Sequence, residues 1–488
     1  MNPLLLTDFY KTGHISQYPK NTTLVYSNFT PRKSRIYGIN EVVFFGLQYF
    51  IKKYLIEEYN NNFFNKPLSD VVDSYKRILD NSLGGYADMQ HVIALHKLGY
   101  IPIEIKALPE GSLVPMRVPM FTIKNTLPEF YWVTNFLETI LSATIWGACT
   151  SATISLEYKK ILNKYADETV GHRCHVSYQA HDFSFRGMYG LEAALISGAG
   201  HLLNFVGTDT IPAISFLEQY YKADSNKELI GSSVPATEHS VMCMGGEETE
   251  TETYKRLLTE IYPTGIVSIV SDTWNLWDVL TKTLVELKDV ILQRNGKLVV
   301  RPDSGNPVKI ICGGDVSKGL DSLEYKGVVE ILWDIFGGNV NEKGYKILDS
   351  HIGCIYGDSI TLERCKEICE RLKLKGFASS NIIFGVGSYT FQYTTRDTFG
   401  FAVKSTYGEI TGEAREIFKD PITDNVGKKS AKGLLKVVLN KGKYELIDQV
   451  SKEEEEKGEL KTIFKDGILI KECSLYEIRE RLLLSMKN

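Results

Sequence analysis

A short, turn-prone run, GSSVPATEHS from Gly231 to Ser240, ends in an acid and an imidazole side by side, Glu238 and His239. Histidine is the side chain whose charge changes most readily near neutral pH, so a histidine that follows such a loop can act on a bound substrate. A single histidine among the nine in this chain is more often a surface or core residue. The motif therefore indicates a catalytic site only if other reactive side chains accompany it.

Acidic side chains do accompany it, at the ends of short apolar runs that begin after His175. Four acids each follow such a run: Asp209, Asp272, Asp303 and Asp358. The runs alternate with helical segments, which predicts a parallel sheet with crossover helices. Polar groups at the carboxyl ends of many strands are typical of a TIM-type barrel, whose active site lies at that face. We therefore predict an α/β fold with an irregular TIM-type (β/α) barrel. A doubly wound open sheet is the alternative, although no G-x-G-x-x-G fingerprint is present.

Three other kinds of group occur in the same part of the chain. Phe183, Phe185 and Arg186 could stack on and hydrogen-bond a flat polar ring. Glycine-bearing turns at 357–359 and 385–388 can offer backbone N–H groups to a phosphate. Basic residues follow: Arg301, Arg396, Lys404, Lys419, Lys428 and Lys429. A flat ring, a sugar diol and several phosphates together indicate a nucleotide-forming transfer.

The segments on either side of the predicted barrel have a different pattern. Residues 1–40 are predicted to be extended or looped and too polar for a core strand, and 41–64 show helical spacing. After about Phe399 strand-like segments return, with the charged run 452–457 as a solvated turn and a final helix over 475–486. We predict a flanking α+β sheet domain built from both chain ends. The predicted segments are the arm and part of this domain over 1–170, the barrel over 171–397, and the completing segments over 398–488.

Composition limits the class of protein. The chain has 488 residues, 43% hydrophobic and 24% charged, which suits a globular protein large enough for two domains. Its 56 basic and 60 acidic residues give a net charge of -4, so we expect no nucleic-acid or membrane partner, although a local basic pocket for phosphates is compatible. The start, MNPLLLTDFYK, has too short an apolar run for a signal peptide, which favours a cytoplasmic protein.

The eight cysteines are predicted to be buried or unreactive thiols. Cys365 and Cys369 lie four residues apart on a predicted helix, but no second C-x-x-C-type pair completes a zinc site with them. Disulfides are not expected without an export signal.

Seven short motifs occur in a characteristic order: HDFSFRG, GTDT, SVPATEHS, VSD, RPDSGNP, GD at 357–358 and FKDP. In this order they resemble the nicotinamide phosphoribosyltransferase family of type II phosphoribosyltransferases, which is related to nicotinate phosphoribosyltransferases. The opening TDFYK…H…QYP is also similar, so the resemblance extends from the amino terminus to at least Gly433. It implies a pentosyltransferase that condenses nicotinamide with phosphoribosyl diphosphate, giving nicotinamide mononucleotide and pyrophosphate in NAD salvage.

The resemblance also implies roles for particular residues. Those implied for nicotinamide are Phe183, Arg186, Asp209, Asp8 and Tyr10 of the partner subunit. Those implied for the ribose and the phosphates are Arg32, Arg301, Asp303, Gly357, Asp358, Gly387, Ser388, Arg396, Lys404, Lys419 and Lys428. His239 would be phosphorylated by ATP, with Glu238 and Asp272 placed to orient its imidazole. Mg²⁺ and ATP are the implied cofactors, no metal ligands are assigned, and the implied assembly is a homodimer with shared active sites.

Asp209 favours nicotinamide over nicotinate, because two like charges in a partly desolvated site repel each other by several kcal/mol. The alternatives are a nicotinate or quinolinate phosphoribosyltransferase, a catalytically silent or secreted binding relative, and a sugar-processing barrel with paired carboxylates such as Asp272 and Asp303. Two departures from the family pattern predict altered phosphate binding. Tyr389 stands where glycines are common, and Ala402 stands where a hydroxyl residue is expected.

Overall fold

A computed structural model of the chain describes residues 1–85, 87–357, 359–419 and 431–486. Two predicted site residues, Asp358 and Lys428, lie outside the described residues, as does Lys429. The chain divides into two units, the first comprising 1–153, 216–223 and 394–488 and the second comprising 154–215 and 224–393. The domain boundaries after residues 170 and 397 stay a prediction.

The strands are numbered here in chain order. They are β1 Thr22–Thr30, β2 Glu41–Val43, β3 Ile103–Ala107, β4 Leu113–Pro115, β5 Phe121–Asn125, β6 Ala180–Asp182, β7 Gly207–Thr208, β8 Thr264–Val270, β9 Asn295–Arg301, β10 Gly338–Val340, β11 Lys346–Leu348, β12 Ile352–Tyr356, β13 Ile382–Val386, β14 Ala402–Ile410, β15 Glu413–Glu416, β16 Leu434–Asn440, β17 Lys443–Val450, β18 Lys461–Lys465 and β19 Ile468–Leu469.

The helices fall into three kinds. The α-helices are His14–Gln17, Leu47–Phe50, Leu68–Leu83, Gln90–Leu98, Val133–Phe136, Glu138–Thr169, Leu191–Leu202, Ile211–Tyr221, His239–Gly245, Glu250–Arg256, Leu276–Asp278, Leu284–Glu286, Lys288–Gln293, Pro307–Cys312, Leu323–Lys326, Val328–Phe336, Leu362–Leu374, Ser388–Gln392, Lys452–Glu456 and Leu475–Ser485. The π-helical segments are Ile51–Glu58, Asn60–Phe64, Leu257–Ile261 and Val279–Thr283. The 3₁₀ turns are Pro3–Leu5, Phe9–Gly13, Pro128–Phe130, Val176–Tyr178, Phe185–Gly187, Val316–Lys318, Ser379–Asn381 and Arg396–Thr398.

The second unit is built on a six-stranded sheet of order β7–β6–β13–β12–β9–β8, in which every pairing is parallel. Its strands are short apolar runs, such as Ile382–Val386, because crossover helices cover a parallel sheet and leave little of it in water. Side chains of the helices Val328–Phe336 and Leu362–Leu374 lie in the same buried core as these strands. The predicted mixed α/β class with a parallel sheet is confirmed.

Both edges of this sheet bond to one extended segment, 232–237. Parallel bridges join Gly207 to Ser232 at the β7 edge and Ala236 to Ser268 at the β8 edge. The Thr208 N–H donates to the Ser232 carbonyl at 3.0 Å, and the Ser268 N–H donates to the Pro235 carbonyl at 2.9 Å. The loop that leads to His239 is therefore held by backbone bonds to both edge strands.

The first unit contains a seven-stranded sheet of order β15–β14–β1–β5–β3–β18–β19, with strands from both chain ends. Strand β1 lies inside this sheet, antiparallel to β14 and β5. The prediction that the first forty residues are too polar for a core strand was wrong, because their polar side chains find partners. The Ser27 hydroxyl donates to Asn135 Oδ1 at 2.8 Å, and the Asn28 amide donates to the Lys404 carbonyl at 2.9 Å.

Two other local predictions were wrong in the first unit. The helical spacing expected from residue 41 begins only at Leu47, because Glu41–Val43 pairs with β4 as a strand. The charged run expected as a solvated turn forms the helix Lys452–Glu456 instead. Its Glu455 is buried and accepts a bond from the buried Lys106 ammonium at 2.7 Å. Buried charges are stable in this way when they are paired.

One helix, Glu138–Thr169, is long and apolar enough to cross a membrane by length and composition. Its most apolar window is 72% buried inside the protein, as in the core helix of a globular protein. The cores of both units include side chains of this helix. We therefore interpret it as a core helix.

The helix Glu250–Arg256 begins with a carboxyl group that the fold partly buries. Burial, then repulsion from Glu247 and Asp278, raises the pKa of Glu250 from 4.5 to about 7. The folded protein binds the Glu250 proton more tightly than the unfolded chain does. The contribution of this group to the free energy of unfolding is therefore highest below pH 4.5, where the carboxyl group is protonated in both states, and it falls as the pH rises through 7.

We therefore expect Glu250→Gln to stabilise the protein at pH 8 by about 1–2 kcal/mol, a value reduced for the partial exposure of the carboxyl group. The gain should shrink at pH 5, where wild type is largely protonated at this position. Thermal unfolding at the two pH values measures the difference. Glu252→Gln, on an exposed face of the same first turn, is the matched control. A Glu250→Gln protein that is less stable than wild type at pH 8 would contradict the prediction.

Candidate active site

Each parallel strand of the second unit is followed at its carboxyl end by a predicted site residue. In the order of the sheet these are Asp209 after β7, Phe183 after β6, Gly387 after β13, Gly357 after β12, Asp303 after β9 and Asp272 after β8. Because the strands are parallel and adjacent, the fold brings these residues to one edge of the sheet.

The Asp209 carboxylate is held by two hydrogen bonds. His181 Nε2 lies 2.8 Å from Asp209 Oδ1, and the Ser233 hydroxyl donates to the same oxygen at 2.6 Å. Burial acts to raise the pKa of Asp209, but the bonds from His181 and Ser233 and the charge of Arg301 lower it below its ordinary value. The side chain is therefore an ionised acceptor at neutral pH.

His181 also forms part of an aromatic face. Its ring stacks on Phe183 with centroids 4.4 Å apart and planes inclined by 30°. Neither His181 nor Ser233 was predicted as a site residue. The HDF motif could have indicated His181, because residues two apart along an extended strand point to the same side. His181 and Phe183 are two residues apart and therefore share one face.

Arg186 lies on the exposed turn Phe185–Gly187, close to the loop after β13. A Cβ atom at Gly187 would lie 2.0 Å from Ser388 Oγ, so only glycine allows this approach. Ser388 begins the short helix Ser388–Gln392, with Gly387 before it. The Tyr389 side chain, 56% exposed, stacks on Tyr393 with ring centroids 4.9 Å apart. Tyr389 therefore packs against Tyr393, the residue that directly follows its own helix.

His239 is the first residue of the helix His239–Gly245. Its Nδ1 lies 3.1 Å from the Thr273 hydroxyl, and its Nε2 lies 3.8 Å from Asp303 Oδ2. The side chain is 45% exposed, which leaves the ring accessible to a ligand. The imidazole is thus positioned by a hydroxyl on one side and faces a carboxylate on the other.

Glu238 and Asp272, the acids predicted to orient the imidazole, contact other groups. Glu238 accepts a bond from the Ser240 hydroxyl. Asp272 Oδ2 accepts the backbone N–H groups of Asp303 at 2.8 Å and Ser304 at 2.6 Å. Asp272 therefore fixes the loop that carries Asp303. In the part of the chain that the structure describes, neither acid has a hydrogen bond to the His239 ring.

The Asp303 loop is closely packed against its neighbours. A Cβ at Gly357 would lie 2.3 Å from Asp303 Oδ1, so glycine here lets the Asp303 carboxylate keep its position. The Arg301 guanidinium donates to the Thr237 carbonyl, which ties the end of β9 to the loop before His239. Asp272 Oδ1 is buried, and among the described residues it has no hydrogen-bond partner.

The first unit carries a separate basic group formed by Arg32, Arg396, Lys404 and Lys419. Lys404 lies on β14 opposite Asn28 of β1. Burial lowers the pKa of Lys404, Glu138 raises it, and the charges of Arg32, Lys419 and Arg396 lower it further. Such mutual repulsion among cations is relieved when a polyanion binds. Ala402, one of the departures from the family pattern, is buried on the same strand.

Two predicted residues lie near the amino terminus of the first unit. The Tyr10 ring is 61% exposed and contacts His14 edge-on at 5.1 Å. The Asp8 carboxylate accepts a bond from the Thr139 hydroxyl at 2.8 Å. The exposed Tyr10 ring is therefore available for stacking, whereas Asp8 already has a local partner.

Thr273 was missed by sequence reasoning, because a single hydroxyl after the VSD motif carries no distinctive signal. The family resemblance implies that ATP phosphorylates His239, and on that expectation Thr273→Val should slow the phosphorylation about tenfold, since one hydrogen bond that positions the ring is lost. Transfer in the absence of ATP should change little. Thr259→Val, which removes an exposed hydroxyl bonded to the Lys255 carbonyl, is the control. An unchanged rate of phosphohistidine formation would remove Thr273 from this role.

Comparison with known proteins identifies the family. Residues 178–468, more than half of the chain, match the model of the nicotinate phosphoribosyltransferase (NAPRTase) family, and residues 2–105 match the N-terminal domain of nicotinamide phosphoribosyltransferase. A nicotinamide phosphoribosyltransferase of Acinetobacter baylyi is 53% identical over 500 residues, covering 100% of this chain and 98% of the relative. Another, of Mycoplasma pneumoniae, is 37% identical and covers 86% and 92%.

Solved structures agree with the fold. A nicotinate-nucleotide pyrophosphorylase from Pyrococcus furiosus aligns with a TM-score of 0.58 at 16% identity, covering 100% of this chain and 95% of that one. Human nicotinic acid phosphoribosyltransferase aligns with a TM-score of 0.55 at 14% identity, covering 99% and 93%. The family model that matches residues 178–468 places the chain in a class of pentosyltransferases, those of the nicotinate phosphoribosyltransferase type. Within that class, the chain belongs to the nicotinamide phosphoribosyltransferase family, as the resemblance predicted.

Proposed function

We propose that this protein transfers the phosphoribosyl group of phosphoribosyl diphosphate to nicotinamide, giving nicotinamide mononucleotide and pyrophosphate for NAD salvage. The observation that carries the proposal is the 53% identity along the whole chain with the Acinetobacter baylyi nicotinamide phosphoribosyltransferase. The ionised Asp209 beside an aromatic face supports the choice of an amide substrate.

In the proposed complex, the pyridine ring stacks on Phe183 and its amide NH₂ donates to Asp209. His181 and Ser233 hold that carboxylate in place, so its orientation is set before the substrate binds. Nicotinate would bring a second carboxylate to this position, and the like charges would repel. Tyr10 of the partner subunit would cover the opposite face of the ring, and Arg186 would contribute a hydrogen bond to the amide.

The pyridine nitrogen is already a nucleophile, so the reaction needs no general base. A bond forms between this nitrogen and C1 of the ribose while the C1–O bond to diphosphate breaks, and the negative charge collects on the departing pyrophosphate. Arg32, Arg396, Lys404 and Lys419 would bind that charge, and preorganised charge of this kind is usually the largest catalytic contribution. Arg301 and Asp303 would contact the ribose, with Gly357 allowing the close approach of Asp303. The Gly387–Ser388 backbone would offer N–H groups to the 5′-phosphate.

Mg²⁺ is proposed to accompany the diphosphate. The buried Asp272 oxygen that has no hydrogen-bond partner among the described residues and the Asp303 carboxylate suit this hard cation, which prefers oxygen ligands. These two acids would hold the ion, which when bound supplies charge neutralisation for the leaving group.

We propose that ATP phosphorylates His239, so that ATP hydrolysis is coupled to product yield. Nε2 is the proposed acceptor, because Nδ1 is engaged by Thr273. Asp303 faces Nε2 at 3.8 Å and would stabilise a positive charge on the ring. We further propose a cytoplasmic homodimer, and that the six parallel strands together with segment 232–237 form an irregular TIM-type barrel.

The experiment that tests the function is product analysis with purified protein, phosphoribosyl diphosphate and Mg²⁺, with nicotinamide or nicotinate offered separately. We expect nicotinamide mononucleotide from the first base, with more product when ATP is present. An Asp303→Ala protein should lose this product and serves as the control for contaminating activity. Preference for nicotinate would favour the nicotinate enzyme, and no reaction with either base would favour a silent binding relative.

A further inference from the structure

Three metal-ligating side chains lie together away from the strand-end site. They are His172, Cys174 and His175, on the loop between the helix Glu138–Thr169 and β6. One ligand atom from each lies within 4.8 Å of the others, and Cys174 Sγ is 3.0 Å from His172 Nδ1. The loop precedes β6, whereas the strand-end site follows the carboxyl ends of the strands. The cluster is therefore separate from the proposed transfer machinery.

His175 supplies an independent observation that points to a ligand. Both of its ring nitrogens are buried, and within the described ranges neither has a hydrogen-bond partner. A buried polar atom without a partner destabilises the folded state, so such atoms are rare in stable proteins. By comparison, the buried His201 ring places its Nε2 3.0 Å from the Gly207 carbonyl. A metal bound by one His175 nitrogen would satisfy a group that the described part of the chain leaves unpaired.

The spacing H-x-C-H brings the three side chains to one side of a tight turn. The Val176 N–H donates to the Arg173 carbonyl at 3.1 Å, and the Tyr178 N–H donates to the His175 carbonyl at 3.0 Å. Arg173, between the ligands in sequence, forms a salt bridge with Asp167 at 2.5 Å, so its charge is partly neutralised beside the cluster. His172 and Cys174 are exposed and can adjust their side-chain torsions.

The donor set selects the kind of metal. One thiolate with two imidazoles suits Zn²⁺ and other borderline-soft transition metals, whereas Mg²⁺ and Ca²⁺ prefer oxygen. Bonds of about 2.0–2.3 Å to a tetrahedral ion place its ligands about 3.3–3.8 Å apart, which the cluster reaches by small side-chain rotations. Three protein ligands leave the fourth position for water.

We propose that His172, Cys174 and His175 form a site for Zn²⁺ that fastens the turn between the helix Glu138–Thr169 and β6. Occupation stabilises the folded protein, because the unfolded chain lacks the assembled ligands. The site takes no part in the transfer reaction. The proposal of a Zn²⁺ site can therefore be tested separately from the proposed function.

The test uses full-length protein without an affinity tag, freed of metal and kept reduced, and titrated with Co²⁺ followed by Zn²⁺. We expect one equivalent of Co²⁺ with the near-ultraviolet charge-transfer absorption that a cobalt–thiolate bond produces, and Zn²⁺ should displace it. Zn²⁺ should also raise the thermal midpoint. Binding of Co²⁺ only to carboxylates elsewhere would give no thiolate band and would overturn the proposal.

Variants assign the ligands. Cys174→Ser should abolish the thiolate band and weaken Zn²⁺ binding at least about tenfold, while Cys243→Ser, at another exposed free cysteine, should leave both unchanged. His172→Ala, at an exposed position, provides a second variant that does not disturb the core. Unaltered Zn²⁺ affinity in both Cys174→Ser and His172→Ala would overturn the proposal. Transfer activity should be the same in all these proteins.

Discussion

An Asp209→Asn protein is expected to lose its selectivity between nicotinamide and nicotinate. For wild type, kcat/KM with nicotinamide should exceed kcat/KM with nicotinate at least about 100-fold, because repulsion between the Asp209 carboxylate and the nicotinate carboxylate costs several kcal/mol in a partly desolvated site. The variant removes the Asp209 charge. Its kcat/KM values for nicotinamide and nicotinate should then differ by no more than about tenfold. Separate kinetics with the two bases measure both ratios.

The Asp209→Asn substitution changes the charge at position 209 and little else. The carbonyl oxygen of the introduced asparagine side chain can still accept from His181 and Ser233, so the geometry around position 209 is preserved. Asp334→Asn removes an acid whose partner is Lys326 on the surface, and it should not alter selectivity. Wild type that uses nicotinate as well as nicotinamide would refute the role of Asp209. A variant that keeps the full preference would show that another group makes the selection.

A His239→Ala protein is expected to form no phosphohistidine and to lose ATP hydrolysis entirely. The alanine side chain has no nitrogen to accept the phosphoryl group, so the loss should be complete. Slow transfer without ATP should remain, because Asp209, Arg301 and the basic group are unaltered. Acid-labile labelling from radioactive ATP, followed alongside product formation, separates the two activities.

His351→Ala is the matched control for this experiment. His351 precedes β12, at the amino end of the sheet, and contacts Asp349 at 2.6 Å. Its replacement should leave both labelling and coupling intact. Full stimulation by ATP in His239→Ala would contradict the proposed coupling, and loss of ATP-independent transfer in that variant would show that the imidazole also binds substrate.

Much of the second unit could be predicted because its signals are local. Alternating apolar runs and helical segments predicted the parallel sheet, and helices such as Leu362–Leu374 lie between its strands along the chain. Residues such as Asp209, Asp272 and Asp303 could be singled out because each comes shortly after the end of an apolar run. The fold then brings them together, since parallel strands end at one edge.

The amino acid sequence alone therefore determined the class of fold, the candidate edge of the sheet and most of its reactive residues. Tertiary structure decided the rest, because burial and partners depend on pairings between distant segments. Strand β1 is buried through bonds such as Asn28 to the Lys404 carbonyl, 376 residues away. In the same way, only the folded chain places Thr273 beside His239 and His181 beside Asp209, since sequence periodicity is local and side-chain contacts are not.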